Sequence, residues 1–367
     1  MVDAAYKERN DMLDPALSQW LDTHAQALDL GDGDPQQVLT QLAATDVLRV
    51  GISPSLGGSG GDISDAVEVL AKVASHSLAA AFVFWGQRAF IEYLLQSPNV
   101  ALRERLLPAL ISGELAGATG LSNAMKFLSG IEALQVRART EGNGWSLGGR
   151  LHWVTNLRKS GFVVAAAIEH EEGGSPFVLA IPGEATGVLR SADLQLMGLQ
   201  SSNTAAIDFA QVQVGREWLL HDDARAFLPA VRPAFLGLQC GLAIGLARRA
   251  LSEVQSHLQD GRSILLEPLH EQREQLQQTV EQLKQGLLDG RFLARPAALF
   301  QLRIALAESA ASAVQLELQA SGGKAYLTEH GSGFARRWRE SAFVPIVTPS
   351  LVQLRAELQR QKREAAV

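Results

Sequence analysis

Residues 134–156 read LQVRARTEGNGWSLGGRLHWVTN, and their opening alternation decides the class of the middle of the chain. Leu134, Val136 and Ala138 alternate with polar neighbours, a period of two that places apolar side chains on one face of a strand. Gly142, Asn143 and Gly144 then supply a tight turn into Trp145, so the stretch is predicted to be a hairpin. The same chemistry continues outward through residues 162–168 and 177–181 and through Ile207, Phe209, Val212 and Val214. These short runs predict a middle β domain over residues 116–215, built of antiparallel strands rather than βαβ units.

On either side the apolar period changes to that of a helix. Leu17, Trp20, Leu21 and Leu28 follow Asp14 and Pro15, a plausible N-cap and first turn, and residues 1–115 are predicted to be a helical domain. The glycines of residues 57–61 are not followed by Lys-Ser or Lys-Thr; they read as a connection between helices, not as a phosphate-cradling loop. In the last third, Leu269, Leu276, Val280, Leu283 and Leu287 form an apolar stripe on a Gln- and Glu-rich segment. A long helix is expected before it, over residues 235–258. Residues 216–367 are therefore predicted to be a four-helix bundle, with the stripe packed inside it or between subunits of a homodimer or homotetramer. The class is α+β, multidomain.

Composition narrows the function. With 367 residues, 47% of them hydrophobic, the chain has material for more than one core. Its 33 basic and 39 acidic residues give a net charge of −6, with no basic face for nucleic acid. The one cluster, Arg336, Arg337 and Arg339, reads equally as an ion-paired helix face or as a phosphate holder. The longest unbroken apolar runs are too short for a membrane span, and Lys7, Glu8, Arg9 and Asp11 do not begin a secretory signal. The lone Cys240 sits in an apolar stretch and is expected to be a buried thiol. A cytoplasmic enzyme acting on a small molecule is expected, with no metal in its site.

Helices, then a β domain, then a helical bundle is an order that resembles the acyl-CoA dehydrogenase family. Residues 102–122, LRERLLPALISGELAGATGLS, resemble the segment in which that family ends a helix and opens its first strand toward the flavin. Trp153, Val154, Thr155 and Asn156 resemble its Trp-Ile-Thr-Asn, with Leu147 and Gly149 at the matching spacing before them. Met197, Gly198, Thr204, Phe209, Val212 and Val214 resemble the close of its β domain. The resemblance implies FAD, with FMN as the alternative, held by Ser122, Trp153 and Thr155. It adds Gln319, Gly322 and Gly323 from a Gln-x-x-Gly-Gly turn, and Arg262 reaching a neighbouring subunit's flavin. An aromatic wall with a few placed polar groups suits a flat ring.

The departure lies at the catalytic base. Where the family carries a glutamate that removes the α-proton of an acyl-CoA, this chain has Val347, and a hydrocarbon accepts no proton. The second position used in the family falls near Phe235 and Leu236, which do not titrate either. Glu329 and Glu340 are candidate substitutes but read more simply as surface carboxylates, and His152 and His330 read as structural. Three readings follow: a flavin-dependent oxidoreductase oxidising a CH–CH bond of an acyl-CoA-like thioester, a reduced-flavin monooxygenase on the same fold, or a degenerate binding homologue.

Overall fold

The computed structural model describes residues 13–258 and 263–364. Helix α1 (Pro15–Leu30) begins as expected: the Asp14 carboxylate accepts from the backbone N–H groups of Ala16 and Leu17 at 2.8 and 3.2 Å. It is followed by α2 (Pro35–Ala43), α3 (Ile63–His76), α4 (Leu78–Gln96) and α5 (Val100–Ile111). The glycine loop connects a short 3-10 turn to α3, which is capped by a reciprocal pair between Asp62 and Asp65.

Eight strands follow: β1 (Ala116–Thr119), β2 (Val136–Glu141), β3 (Gly144–Val154), β4 (Phe162–His170), β5 (Phe177–Pro182), β6 (Val188–Asp193), β7 (Ala205–Gly215) and β8 (Leu219–His221). Short helix α6 (Ser122–Leu128) lies between the first two. The predicted hairpin is present, with Glu141 opposite Gly144 and Gly142 at φ +56°. The expectation of a purely antiparallel domain is corrected, because the sheet is mixed. β1 pairs with the first half of β4 and β2 with its far end, both parallel, while the remaining pairings are antiparallel. The reason is local. β1 and β2 lie in tandem along one edge of β4, like one strand interrupted by the excursion through α6, so both run in the same direction as β4. β8 extends the sheet to His221, past the expected boundary at 215.

The last third holds α7 (Ala224–Ser256), α8 (Leu266–Leu288), the one-turn α9 (Arg291–Ala294), α10 (Pro296–Ser321), α11 (Ser332–Phe343) and α12 (Leu351–Glu364). α7, α8 and α10 pack on one another with α12 against α10, the expected bundle. The stripe residues Leu269, Leu276 and Leu283 are buried within this single chain. The N-terminal helices share its core through α3, which lies along α7. Contact there is so close that a Cβ on Gly245 would meet the carbonyl oxygen of Ala71 at 2.0 Å, so the crossing requires a glycine.

The segments 78–96, 224–256 and 296–326 reach the length and hydropathy of a bilayer span, which the short unbroken runs in the sequence concealed; their most apolar windows are 94%, 83% and 44% buried in the fold. The apolar character of the first two is thus used in the core.

Candidate active site

A cavity of about 310 Å3 lies where the end of the β domain meets α4 and the segment after α11. Its β wall is polar at the base and aromatic at the rim. Thr155 forms an isolated bridge with Thr119, its hydroxyl is 3.4 Å from that of Thr204, and Thr204 is in turn 2.8 Å from the Ser202 hydroxyl. The Thr119 hydroxyl is 2.8 Å from the Tyr93 phenol, which burial pushes far above its ordinary pKa, so it remains protonated. Next to these buried hydroxyls stands Trp153, 61% exposed on β3.

Asn156 fixes the end of this wall. It takes a left-handed conformation, φ +60°, which Asn tolerates better than most residues. Its side-chain amide donates to Gln87 Oε1 at 2.7 Å and to the Gly117 carbonyl at 3.0 Å. Gln87 in turn donates to the carbonyls of Leu110 and Leu115 and accepts from the Gly117 N–H. One buried network thus ties β3, β1, α4 and the end of α5 behind the cavity.

The helical wall is hydrocarbon: Phe82 and Trp85 stack at 5.2 Å, and Phe343 meets Phe82 edge-on at 4.8 Å. Ile346 and Val347 complete it, Val347 being 7% exposed. Phe235, near which the resemblance would put an alternative base, is fully buried behind Trp85 and accepts the indole N–H at its carbonyl. The turn at residues 344–348 is held from beneath by Arg303. This side chain donates to the Val344 carbonyl at 2.8 Å and to Gln239 Oε1 at 2.9 Å, and Gln239 donates to the Thr348 carbonyl at 3.0 Å. Arg303 is wholly buried, has no ion-pair partner among the described residues, and is lowered from its ordinary pKa by desolvation.

Among the described residues two ionisable side chains line the cavity, both cations. Lys126 is 2.6 Å from Glu132. Partial burial works to raise the Glu132 carboxyl, but hydrogen bonds from Lys126 and Asn123 and the Lys126 charge outweigh it and hold the group below its ordinary value. Arg339 donates through Nε and Nη2 to Asp29 Oδ2 at 2.8 and 2.6 Å.

Of the residues expected from the sequence, Ser122, Trp153, Thr155 and Val347 meet in this cavity, together with Met197, Gly198 and Thr204. Gln319, Gly322 and Gly323 do not line it; they stand at the exposed end of α10, where Gly322 is the C-cap at φ +61°. Arg262 lies outside the described residues. Glu329 is exposed, as expected, but Glu340 is not a surface carboxylate. It is 1% exposed, paired with Arg336 at 2.8 Å, and accepts the Leu78 N–H at the start of α4. His152 and His330 are exposed and do not line the cavity. Arg336 and Arg337 are ion-paired within the fold, Arg337 with Glu317, so the paired reading holds for both. Sequence reasoning missed Arg303, Lys126 and the Asp29–Arg339 pair. An arginine amid Leu299, Phe300 and Leu306 was the signal for the first; a pair 310 positions apart leaves none.

Residues 7–114 match the family model "Acyl-CoA dehydrogenase, N-terminal domain". The isovaleryl-CoA dehydrogenase of Pongo abelii is 28% identical over 183 residues, 47% of this chain and 42% of that protein; the match thus spans under half of the relative's length. A solved glutaryl-coenzyme A dehydrogenase in complex with glutaryl-CoA superposes with a TM-score of 0.82 at 18% identity, covering 99% of this chain and 95% of the other. KijD3, solved with FMN and a dTDP-linked amino-keto sugar, gives 0.76 at 19% identity, covering 95% and 91%. At such identities the solved structures speak for the fold alone. Residues 7–114 thus carry an acyl-CoA dehydrogenase N-terminal domain, and the chain shares the acyl-CoA dehydrogenase fold over nearly its whole length.

Proposed function

We propose that the chain is a flavin-dependent oxidoreductase whose reaction uses no carboxylate base, and that it works as a reduced-flavin monooxygenase. The observation that carries this reading is the cavity lining, which among the described residues has hydroxyls, two cations and hydrocarbon but no carboxylate. A general base contributes about 10²–10⁴-fold to removal of a proton from carbon, and Val347, Ile346 and Phe343 supply none.

The residues fit a flavin ring. Trp153 is 61% and Met197 71% exposed at the rim, which leaves an uncovered apolar face beside the buried hydroxyls of Thr155 and Thr204. A space of about 310 Å3 is at the small end for a ligand pocket, enough for the ring and a compact substrate and not for a whole dinucleotide. FAD is the leading cofactor and FMN the alternative, and Ser122, Trp153 and Thr155 are the residues that would hold it. Arg262 is kept as a contact from a second copy in a homodimer or homotetramer, and Gln319, Gly322 and Gly323, which do not line this chain's cavity, are proposed to come from a second copy too. When bound and reduced, the flavin supplies two electrons to dioxygen, one oxygen atom entering the substrate and the other leaving as water.

The protein's own part is to hold and to exclude. Thr155 and Thr204 offer hydroxyls to polar edges of the ring, while Phe82, Trp85, Phe343 and Val347 keep water from the reacting face. The relatives' names keep acyl-CoA thioesters as the first substrate class to try. The test reduces the flavin-loaded protein with an external reductase, admits oxygen with an acyl-CoA panel, and measures oxygenated product against hydrogen peroxide. Product formation is expected; bleaching of the oxidised flavin by an acyl-CoA without oxygen would restore the dehydrogenase reading. Neither reaction would leave the degenerate binding homologue.

A further inference from the structure

The cavity's ionisable residues are arranged cation-inward. Lys126 and Arg339 line it, whereas their carboxylate partners, Glu132 and Asp29, do not. The two pairs differ in firmness. Lys126 and Glu132 are 27% and 33% exposed at their side chains, so water screens that pair. Asp29 is fully buried: Oδ1 accepts the Leu199 N–H at 2.8 Å and Oδ2 accepts from Nε and Nη2 of Arg339. One side of the guanidinium is thereby locked to α1, and its Nη1 group has no hydrogen-bond partner among the described residues.

We propose that the substrate carries an anionic acid group, a carboxylate or its equivalent, which Arg339 recognises. This rests on the flavin-oxidoreductase reading for the cavity being the reaction chamber, and deepens it by naming what the substrate bears. At cavity range the nearer cation outweighs the carboxylate behind it, and a guanidinium with a fixed orientation presents its remaining donors to an acid without further ordering. Among the described residues the walls leave such a group no other charged partner than Lys126. A flavin phosphate has the same chemistry, and the test separates the two sources.

Trp85 and Trp153 line the cavity, so tryptophan fluorescence reads occupancy with or without flavin. The protein is titrated with hexanoate against hexanamide, and with adipoyl-CoA against hexanoyl-CoA. Each acid is expected to bind at least tenfold more tightly than its neutral partner. Arg339→Gln alone strands the buried Asp29 carboxylate, so the Asp29→Asn/Arg339→Gln double variant carries the test, with Arg339→Lys as the variant that keeps the charge without the fork. The double variant is expected to lose the preference and leave the neutral ligand's affinity unchanged; Arg339→Lys is expected to retain part of it. Equal affinity for acid and neutral partner in the native protein, or a preference that both variants keep, overturns the inference. So does a fall in FAD affinity with the acid preference intact, which assigns Arg339 to the flavin phosphate. Preference for hexanoate with no binding of either thioester supports it and removes the acyl-CoA class instead; failure to bind flavin with the acid preference present removes only the oxidoreductase reading.

Discussion

The two walls of the cavity were built to different specifications. The β wall brings together Ser122, Trp153 and Thr155, which the family resemblance assigns to the cofactor, with Thr204 beside Thr155 and with Asn156 and Gln87 fixing the backbone behind them. The helical wall is firmly scaffolded but presents hydrocarbon. Arg303 and Gln239 hold the turn at residues 344–348 from both ends, and it presents to the cavity the hydrocarbon of Val347, where the family resemblance would put a glutamate. The turn is positioned by its carbonyls, which any residue supplies, so its placement does not dictate the side chain it presents. Function therefore has to be argued from the side chains that face the cavity.

Placing a carboxylate on the helical wall breaks the comparison most strongly. Val347→Glu is expected to raise the rate of anaerobic flavin bleaching by acyl-CoAs by about 10²–10⁴-fold over the native protein, read by stopped-flow absorbance. An unchanged rate would mean that the helical wall differs in more than its base. The scaffold behind that wall comes next. Arg303→Leu leaves the Val344 carbonyl and Gln239 Oε1 without their buried donor and should cost about 3 kcal/mol in urea unfolding. Asn156→Ala, the corresponding change behind the β wall, should cost about 2 kcal/mol. A cost below about 0.5 kcal/mol in either case would show that the network does not fix its wall.

Trp153→Ala separates holding from folding. Because the indole is 61% exposed, its loss should leave the melting temperature within a few degrees of native while weakening flavin binding about tenfold or more. A matching fall in stability would make the residue structural. The smallest effect is expected at Cys240, which is buried and does not line the cavity. Burial pushes its thiol from an ordinary 9.0 to about 12, so the folded chain holds this proton where the unfolded chain releases it. The contribution is complete below pH 9 and is lost as pH rises toward 12, by about 1 kcal/mol between pH 9 and 10. Cys240→Ala should flatten that part of the stability–pH curve relative to native, and identical slopes would contradict the assignment.

The architecture was legible because its signals are local. The period-two run at residues 134–138, the glycine turn and the Asp14–Pro15 cap each act within a few residues, and each appears where the spacing put it. What was not legible depends on distance. The parallel pairing of β1 and β2 with β4 follows from an excursion through α6 that no alternation records. The burial of Glu340 depends on Arg336 one turn away and on the start of α4, 262 positions earlier. In the site, Trp153 and Thr155 could be read from their tetrapeptide and Val347 from its neighbours. The cation-inward pair of Arg339 and Asp29 exists only when α1 and α11 are brought together. Gln319, Gly322 and Gly323 matched a motif that this single chain does not bring to the cavity.

The most direct measurement is a titration of the flavin-free protein with FAD and with FMN, followed by visible absorbance and by quenching of tryptophan fluorescence, in the native chain and in Trp153→Ala. A β wall that still holds a cofactor predicts a shifted flavin spectrum and saturable quenching for the native chain, with affinity reduced about tenfold or more in the variant. No spectral change with either flavin, or equal binding by the variant, would contradict it.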